Sequence, residues 1–93
     1  MYFITTITKD FNEFRCIGYF KDLSNAKRIL EYNVHDIYEC GYYPYAVIEF
    51  IPEGIYRYDL EPQWYKWDKI DNKYIECIFQ PLEVKNYVGF AIG

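Results

Sequence analysis

The sequence predicts an α+β fold, a small and mostly antiparallel sheet of about five to seven strands with one amphipathic helix. Short β-branched and aromatic segments with a period of two lie on both sides of one segment with a helical period. The chain has 93 residues, so residues 1–93 are expected to form a single domain. An aromatic share of 23% is well above average usage and excludes simple disorder.

Two short strands are predicted at the N-terminus. Tyr2 to Thr8 is rich in β-branched residues and ends at Lys9-Asp10, a pair typical of a turn. Arg15 to Phe20 has the composition of a second strand. The polar segment between them suits a hairpin connection.

The helix is predicted within DLSNAKRILEYNVHDIY, which begins at Asp22. Asp22 or Ser24 could cap its N-terminus by accepting a hydrogen bond from an unpaired backbone N–H. Gly41 marks the end of the segment that follows the helix. The residues that fall on one helical stripe are Ala26, Ile29, Leu30 and Asn33.

From Tyr42 the period returns to two, which predicts a third strand. One face of this strand carries Ala46, Ile48 and Phe50 and is expected to meet the helix and the core. The opposite face carries Tyr43, Tyr45, Val47 and Glu49.

Four more segments with strand character are predicted towards the C-terminus. Pro52-Glu53-Gly54 should reverse the chain before a strand at Ile55 to Tyr58. Gln63 to Ile70 and Lys73 to Phe79 flank Asp71-Asn72, a pair suited to a tight hairpin turn. The apolar segment from Asn86 to Ile92 should complete the sheet or pair with another copy of the chain.

Charge and cysteine usage limit the classes of partner and compartment. Ten Lys and Arg against fourteen Asp and Glu give a net charge of -4, which disfavours binding of long nucleic acids. We read neither a signal peptide nor a membrane span, so we expect a soluble, cytoplasmic protein with no membrane partner. An odd number of widely spaced cysteines, Cys16, Cys40 and Cys77, predicts small buried residues rather than a disulfide, a zinc site or a nucleophile.

No catalytic or metal-binding motif is present in the sequence. The lone histidine, His35, lies beside Asp36 but has no nucleophile specified around it, which favours a solvent-facing turn residue over a general base. Glu49, Glu53 and Asp59 are best interpreted as solvated charges. The glycines are isolated, so no phosphate-binding loop is predicted. We therefore expect no catalytic residue, no metal and no cofactor, and hence not an enzyme.

The aromatic residues are concentrated between Gly41 and Trp67, a segment that holds six of the twelve tyrosines and both tryptophans. Alternation distributes these rings over both faces of a sheet, and one helix covers one face. The surplus rings therefore indicate a ligand pocket or a self-association surface. Cations interleave with the rings, which is the chemistry that captures a nucleotide-like anion. The predicted ligand-binding residues are Arg15, Tyr43, Tyr45, Tyr56, Arg57, Tyr58, Trp64, Lys66 and Trp67.

A plainer interpretation of the cations is equally physical. Arg57 and Lys66 could pair with carboxylates on the sheet surface, among them Glu49, Glu53, Asp59 and Asp68. For any single cation this interpretation is the better supported of the two. The ligand hypothesis therefore requires a place where several cations and rings meet.

The phrases RCIGYF, YECGYYPYAVIEFIPEGIYRYD, QWYKW and YVGFAIG resemble a group of short uncharacterised proteins of low-GC Gram-positive bacteria and of their phages and prophages. The likeness spans nearly the whole chain. It implies a compact accessory protein of a mobile element or its host, and it brings no established catalytic residues. Small phage proteins often inhibit host defence, by blocking a defence protein or by sequestering its nucleotide signal.

Two functional hypotheses follow. In the first, the protein is a non-enzymatic binding module, a homo-oligomer that buries a nucleotide-like anion between aromatic rings and Arg57, Lys66 or Arg15. In the second, the aromatic face docks a host protein and the acidic charge provides electrostatic complementarity, with no small ligand.

Overall fold

The structure, a computed structural model, describes residues 1–10, 13–54 and 61–87. Its strands form one antiparallel sheet with the order β2-β1-β3-β4-β5. This confirms the α+β prediction with five strands and one α-helix among the described residues. The elements are β1 (Tyr2–Ile7), β2 (Phe14–Phe20), α1 (Leu23–Glu31), β3 (Tyr45–Phe50), β4 (Gln63–Asp68) and β5 (Lys73–Cys77), with 3₁₀ turns at Val34–Asp36, Glu39–Gly41 and Leu82–Val84.

The predicted N-terminal hairpin is confirmed. Thr8 and Glu13 close it through three hydrogen bonds: the Thr8 backbone N–H donates to the Glu13 carbonyl at 2.9 Å, the Thr8 hydroxyl donates to the same carbonyl at 3.1 Å, and the hydroxyl accepts from the Glu13 N–H at 2.9 Å. A bulge between Ile4 and Thr5 shifts the register of the pairing with β2. Thr8 thus fixes the end of β1 and the start of β2 through its side chain as well as its backbone.

The helix is shorter than its sequence pattern predicts. It ends at Glu31, and Asn33 adopts a left-handed φ of 46° that places it outside the helix. The Asn33 side-chain oxygen accepts from the Tyr38 N–H at 3.0 Å, and its amide donates to Asp36 at 3.1 Å. An asparagine side chain that bonds nearby backbone favours a turn over a helix, which explains the early end. Asp22 holds the N-cap position without a side-chain capping bond, so the predicted side-chain cap is wrong there.

One face of the sheet packs against the helix. Ala26 and Leu30 of α1 are fully buried against Ile4, Ala46 and Ile48, which confirms the predicted inward face of β3 at its first two positions. The prediction is wrong for Phe50 at the end of the strand: its side chain is 40% exposed, with its ring 4.9 Å from that of Tyr2. Tyr65 and Tyr74 complete this core from β4 and β5.

The opposite face carries a second core. Val84 and Tyr87 lie over Tyr45, Val47 and Trp64, which leaves each of these five side chains buried. A single helix cannot cover both faces of a sheet, and here the segment after β5 covers the other one. Much of the aromatic surplus is therefore used in packing.

Glu49 corrects a sequence expectation on this second face. Its side chain is only 6% exposed, and its carboxylate accepts a hydrogen bond from the Tyr87 hydroxyl at 2.6 Å. The expectation of a solvated charge is wrong because the covering segment crosses this strand. A hydrogen bond is the usual way in which a buried polar side chain is accommodated.

The hairpin between β4 and β5 is confirmed, with strands shorter than predicted. The Asp68 carboxylate accepts from the backbone N–H groups of Ile70 and Asp71, both at 3.3 Å, and Asn72 has a positive φ of 54°. The turn therefore begins one residue after Asp68. Gln80 then fixes the covering segment, because its amide donates to the carbonyls of Val84 at 2.7 Å and Tyr87 at 3.0 Å.

Other sequence expectations have mixed outcomes. Gly54 has the predicted positive φ, at 108°, but the strand expected at residues 55–58 lies outside the described residues. The same holds for the last five residues of the strand expected at 86–92, while Asn86 and Tyr87 are not in a strand. No helix among the described residues is long and apolar enough to span a bilayer.

His35 and the cysteines lie in or near the surface. His35 is an exposed turn residue with φ 56°, as expected. All three cysteines are free, but the prediction that they are buried is wrong for Cys16 and Cys40, which are exposed. Cys16 lies on the edge strand β2 and Cys40 in a surface turn, where the packing does not enclose a side chain.

Two buried phenols on the helix-facing side are expected to respond in opposite ways to loss of the hydroxyl. The Tyr74 hydroxyl donates to the Tyr43 carbonyl at 2.6 Å, whereas the Tyr65 hydroxyl is buried and has no hydrogen-bond partner among the residues that the structure describes. We expect Tyr74→Phe to lower the free energy of unfolding by about 1–2 kcal/mol, and Tyr65→Phe to leave it unchanged or raise it by up to about 1 kcal/mol.

Urea denaturation of both variants measures this contrast, with each acting as the control for the other. The two substitutions remove the same atom from the same core. Equal losses of stability would contradict the hydrogen-bond assignment.

Candidate functional site: the lysine pocket

A surface pocket of about 390 Å³ opens at one end of the sheet. The ends of β1 and β4 and the start of β3 meet there, because Ile7 and Lys66 both pair with Tyr45. The turns before β3 close the other side. We call this site the lysine pocket; its lining residues are Lys9, Tyr38, Cys40, Gly41, Pro44, Tyr45, Lys66, Trp67 and Lys69.

The charge of the lysine pocket is opposite to that of the chain. Three lysines line it, and none of the described lining residues is acidic, although the chain carries fourteen Asp and Glu. Lys9 and Lys69 are exposed and have no ion-pair partner within the described parts of the chain. Their ammonium groups are therefore not neutralised by a neighbouring carboxylate there.

The third lysine is held in place by a carboxylate at the rim. Lys66 Nζ lies 3.0 Å from Glu83 Oε1 and 6.0 Å from the centroid of the Tyr45 ring. The hydrogen bond to Glu83 raises the pKa of Lys66. The pKa of Glu83 is lowered by a hydrogen bond from the backbone of Glu83 itself and by the hydrogen bond from Lys66. Both groups remain charged near neutral pH, so Glu83 largely compensates the charge of Lys66. The main effect of the ion pair is to hold the lysine side chain in place.

The aromatic wall of the pocket is a stacked pair. The Tyr38 and Trp67 rings lie 3.8 Å apart at an angle of 9°, and Tyr74 packs edge-on to both, at 6.3 Å and 5.2 Å. The backbone holds this wall as well: the Trp67 N–H donates to the Pro44 carbonyl at 2.8 Å, and the Tyr43 N–H donates to the Tyr38 carbonyl at 3.0 Å. The rings are thus positioned before any ligand arrives, which reduces the entropy lost on binding.

Gly41 allows the turn that borders the pocket. Its φ of 109° is a conformation that side-chain-bearing residues rarely adopt. Gly41, which the sequence predicts to end the segment that follows the helix, therefore lies at the pocket wall. Cys40 precedes it, and its thiol lies 3.5 Å from Asp36 Oδ2.

A second cation and ring pair lies apart from the lysine pocket. The Arg15 guanidinium lies 4.2 Å above the centroid of the Tyr43 ring and 3.2 Å from Glu39 Oε1. The Tyr43 hydroxyl donates to Glu13 Oε1 at 3.0 Å, and the Tyr43 side chain is 2% exposed. This pair is occupied by internal contacts, so Arg15 and Tyr43 contribute to packing in this structure.

The structure brings together three of the predicted ligand-binding residues, Tyr45, Lys66 and Trp67. Trp64 lies instead in the second core, 5% exposed and with its ring 5.4 Å from that of Tyr87. The remaining predicted residues, Tyr56, Arg57 and Tyr58, lie outside the described residues.

Lys66 does pair with a carboxylate, as the plainer interpretation of the sequence expected, whereas Arg57 lies outside the described residues. The partner of Lys66 is Glu83, however, rather than one of the four acidic residues that the sequence singled out, and Arg15 pairs with Glu39. Both partners come from 3₁₀ turns, whose positions against the sheet depend on the tertiary fold.

Sequence reasoning missed Lys9, Tyr38 and Lys69. They lie in three separate turns, so no spacing in the chain connects them. A signal was present for Lys69, which lies two residues after WYKW, within the strand predicted from Gln63 to Ile70.

Within the described residues there is no group of three or more His, Cys, Asp and Glu side chains placed to hold a metal ion. No protein-family model, curated protein or solved structure matches this chain.

Proposed function

We propose that this protein is a non-enzymatic binding protein that captures a small, nucleotide-like anion in the lysine pocket. The observation that carries the proposal is the convergence of three lysines on a preformed aromatic wall, in a chain with a net charge of -4. Ammonium groups bind phosphate oxygens through charge-assisted hydrogen bonds, and aromatic rings contact a base or another flat group. The volume of about 390 Å³ lies within the range of about 300–1,000 Å³ that is usual for small-molecule sites.

Charge distribution favours a small ligand over a long polyanion. Lys9 and Lys69 attract an anion locally without first breaking an ion pair to another described residue. An extended phosphate backbone would also pass within a Debye length, about 10 Å, of carboxylates outside the pocket, which repel it. A mononucleotide or dinucleotide satisfies both conditions.

The chemistry of the pocket supports binding without turnover. Cys40 is the one lining residue with a nucleophilic side chain of the thiol or hydroxyl-alkyl type among those described. Its hydrogen bond to Asp36, together with the charge of that carboxylate, raises the pKa of the thiol. The reactive thiolate is therefore disfavoured near neutral pH.

The resemblance to short phage and prophage proteins extends the proposal to a biological role. We propose that the protein sequesters a nucleotide-like signal of host defence in the cytoplasm, as a homo-oligomer. Stoichiometric capture needs only affinity and abundance, which fits a pocket without an activated nucleophile.

Replacement of Lys9 and Lys69 tests the proposal. We expect Lys9→Ala/Lys69→Ala to weaken binding at least about a hundredfold, because each lost charge-assisted bond costs about 1.5–3 kcal/mol. Isothermal titration with a panel of nucleoside monophosphates, cyclic mononucleotides and cyclic dinucleotides measures the affinity. The matched control is Lys21→Ala/Lys85→Ala, which makes the same charge change at exposed positions outside the pocket.

Heating the loaded protein should release the ligand unchanged. Equal weakening by both double variants would show that total charge, rather than the lysine pocket, is responsible. Chemical conversion of the bound ligand would refute the non-enzymatic assignment.

Docking of a host protein is the second proposal, and exposed rings outside the pocket favour it. Tyr42 is 55% and Tyr32 is 73% exposed, whereas Trp64 is covered. In that case the Lys9→Ala/Lys69→Ala protein should still capture its partner, while Tyr32→Ala/Tyr42→Ala should not. The opposite ranking in a co-purification with host lysate would favour the anion ligand.

A further inference from the structure

β5 forms one edge of the sheet among the described strands. It pairs with β4 on one side, from Lys73 opposite Asp68 to Cys77 opposite Trp64. Its other side faces no described strand. The backbone groups that alternate towards that side are a template for another strand, and native proteins commonly protect such an edge.

The residues around this edge are apolar and exposed. Ile75, in the middle of the strand, is 39% exposed. Ile70, which precedes the strand, is 89% exposed, and Ile78 and Phe79, which follow it, are 92% and 82% exposed. Large aliphatic and aromatic side chains at both ends of one edge strand are an unusual concentration, and they mark an interaction surface.

The arrangement fits a second copy of the same strand. When two β5 strands run antiparallel with Ile75 opposite the partner's Ile75, each residue i lies opposite position 150 − i of the partner. Phe79 then lies opposite position 71, next to the partner's Ile70. The exposed apolar residues at one end of each strand therefore contact those at the opposite end of the partner strand. The two-fold axis generates this contact twice.

Charges agree with this register. Lys73 lies opposite Cys77, and Glu76 lies opposite Tyr74, so no residue of the strand faces a like charge directly. Like charges in direct opposition would destabilise the pair. All five pairings also keep side chains of the same sheet face together, which continuous pleating requires.

We propose that two copies of this chain associate through β5 and form one continuous antiparallel sheet across a two-fold axis. A specific interface buries about 800 Å² on each partner. That is roughly an eighth of the 6388 Å² surface of the chain. The proposal does not depend on a ligand, because none of the strand's residues lines the lysine pocket.

Analytical ultracentrifugation over a wide range of protein concentration tests the proposal. We expect a dimer for the unmodified chain, and a dissociation constant raised at least about tenfold by Ile75→Lys, since the register places the two introduced lysines opposite each other at the axis. Tyr19→Lys is the matched control, with the same change in charge at a 61% exposed position on the other edge strand, β2. It should leave the dimer unchanged.

A second measurement needs no variant. In a mixture of isotope-labelled and unlabelled protein, intermolecular methyl contacts between the two copies of Ile75 should appear. A monomer at the highest concentration, a dimer that dissociates only in Tyr19→Lys, or a dimer without the Ile75 contacts would overturn the proposal.

Discussion

Replacing Trp64 by alanine should lower the free energy of unfolding by about 3–5 kcal/mol, the usual cost of removing a large buried aromatic side chain. Trp64 is 5% exposed in the second core and packs edge-on against Tyr87 at 5.4 Å. A small domain has about 5–15 kcal/mol of total stability, so this variant should be largely unfolded at moderate urea. Chemical denaturation followed by circular dichroism measures the loss.

Tyr32→Ala is the control for this experiment. It also removes an aromatic ring, but from a side chain that is 73% exposed, and it should cost less than about 1 kcal/mol. If Trp64→Ala were no more destabilising than the control, the covering of the sheet by Val84 and Tyr87 would be wrong. Trp64 would then return as an exposed ring available to a ligand or partner.

Raising the pH above about 10 should destabilise the protein steeply, because folding raises the pKa values of the buried phenols Tyr65 and Tyr74 strongly. Burial raises the pKa of Tyr65 and of Tyr74 well above the ordinary value of 10.0, and nearby Glu76 acts in the same direction on Tyr65. A raised pKa means that the folded state retains protons that the unfolded state loses. This contribution to stability is complete below pH 10 and is lost as the pH rises towards the raised values.

The expected slope is about 1.4 kcal/mol per pH unit for each buried phenol, and so about 2.7 kcal/mol for the pair. Urea denaturation at a series of pH values from about 8 to about 11.5 measures it. Tyr65→Phe is the matched variant, since it removes one phenol and leaves the ring. The slope of Tyr65→Phe should lie about midway between the slope of the unmodified protein and that of the Tyr65→Phe/Tyr74→Phe double variant. Identical slopes in all three proteins would contradict the burial of these phenols, which disfavours their charged form.

The lysine pocket and the β5 edge are separate features, and their tests separate them. Lys9→Ala/Lys69→Ala addresses ligand capture at one end of the sheet, whereas Ile75→Lys addresses association along its edge. A dimer would present two lysine pockets, and two equivalent sites on one particle would suit the stoichiometric capture that we propose.

Local patterns were sufficient for most elements. Thr8 with Lys9-Asp10 predicted the first hairpin, and Asp71-Asn72 predicted the last one within a few residues. The β-period around Ala46 and Ile48 predicted which face meets the helix. These features depend on neighbours in sequence, where turn chemistry and side-chain alternation act directly.

The candidate site was predictable only in part. The segment that contains Tyr45, Lys66 and Trp67 was identified from its rings and cations, but the sequence placed Trp64 and Tyr43 beside them as equals. Alternation tells which residues share a face; it does not tell which face another segment covers. Lys9 and Lys69 reach the pocket through turns at the same end of the sheet, and no local pattern encodes that meeting.

The sequence by itself determined the α+β class, the helix-facing side of β3, the hairpin turns and the aromatic and cationic character of the region that forms the pocket. Only the tertiary structure decided that Val84 and Tyr87 bury the second face, that Glu49 is enclosed, and that three lysines converge on the stacked Tyr38 and Trp67 rings. The physical reason is the range of the forces. Propensity and turn chemistry act over a few residues, whereas burial and charge convergence depend on strands that pair across the whole length of the chain.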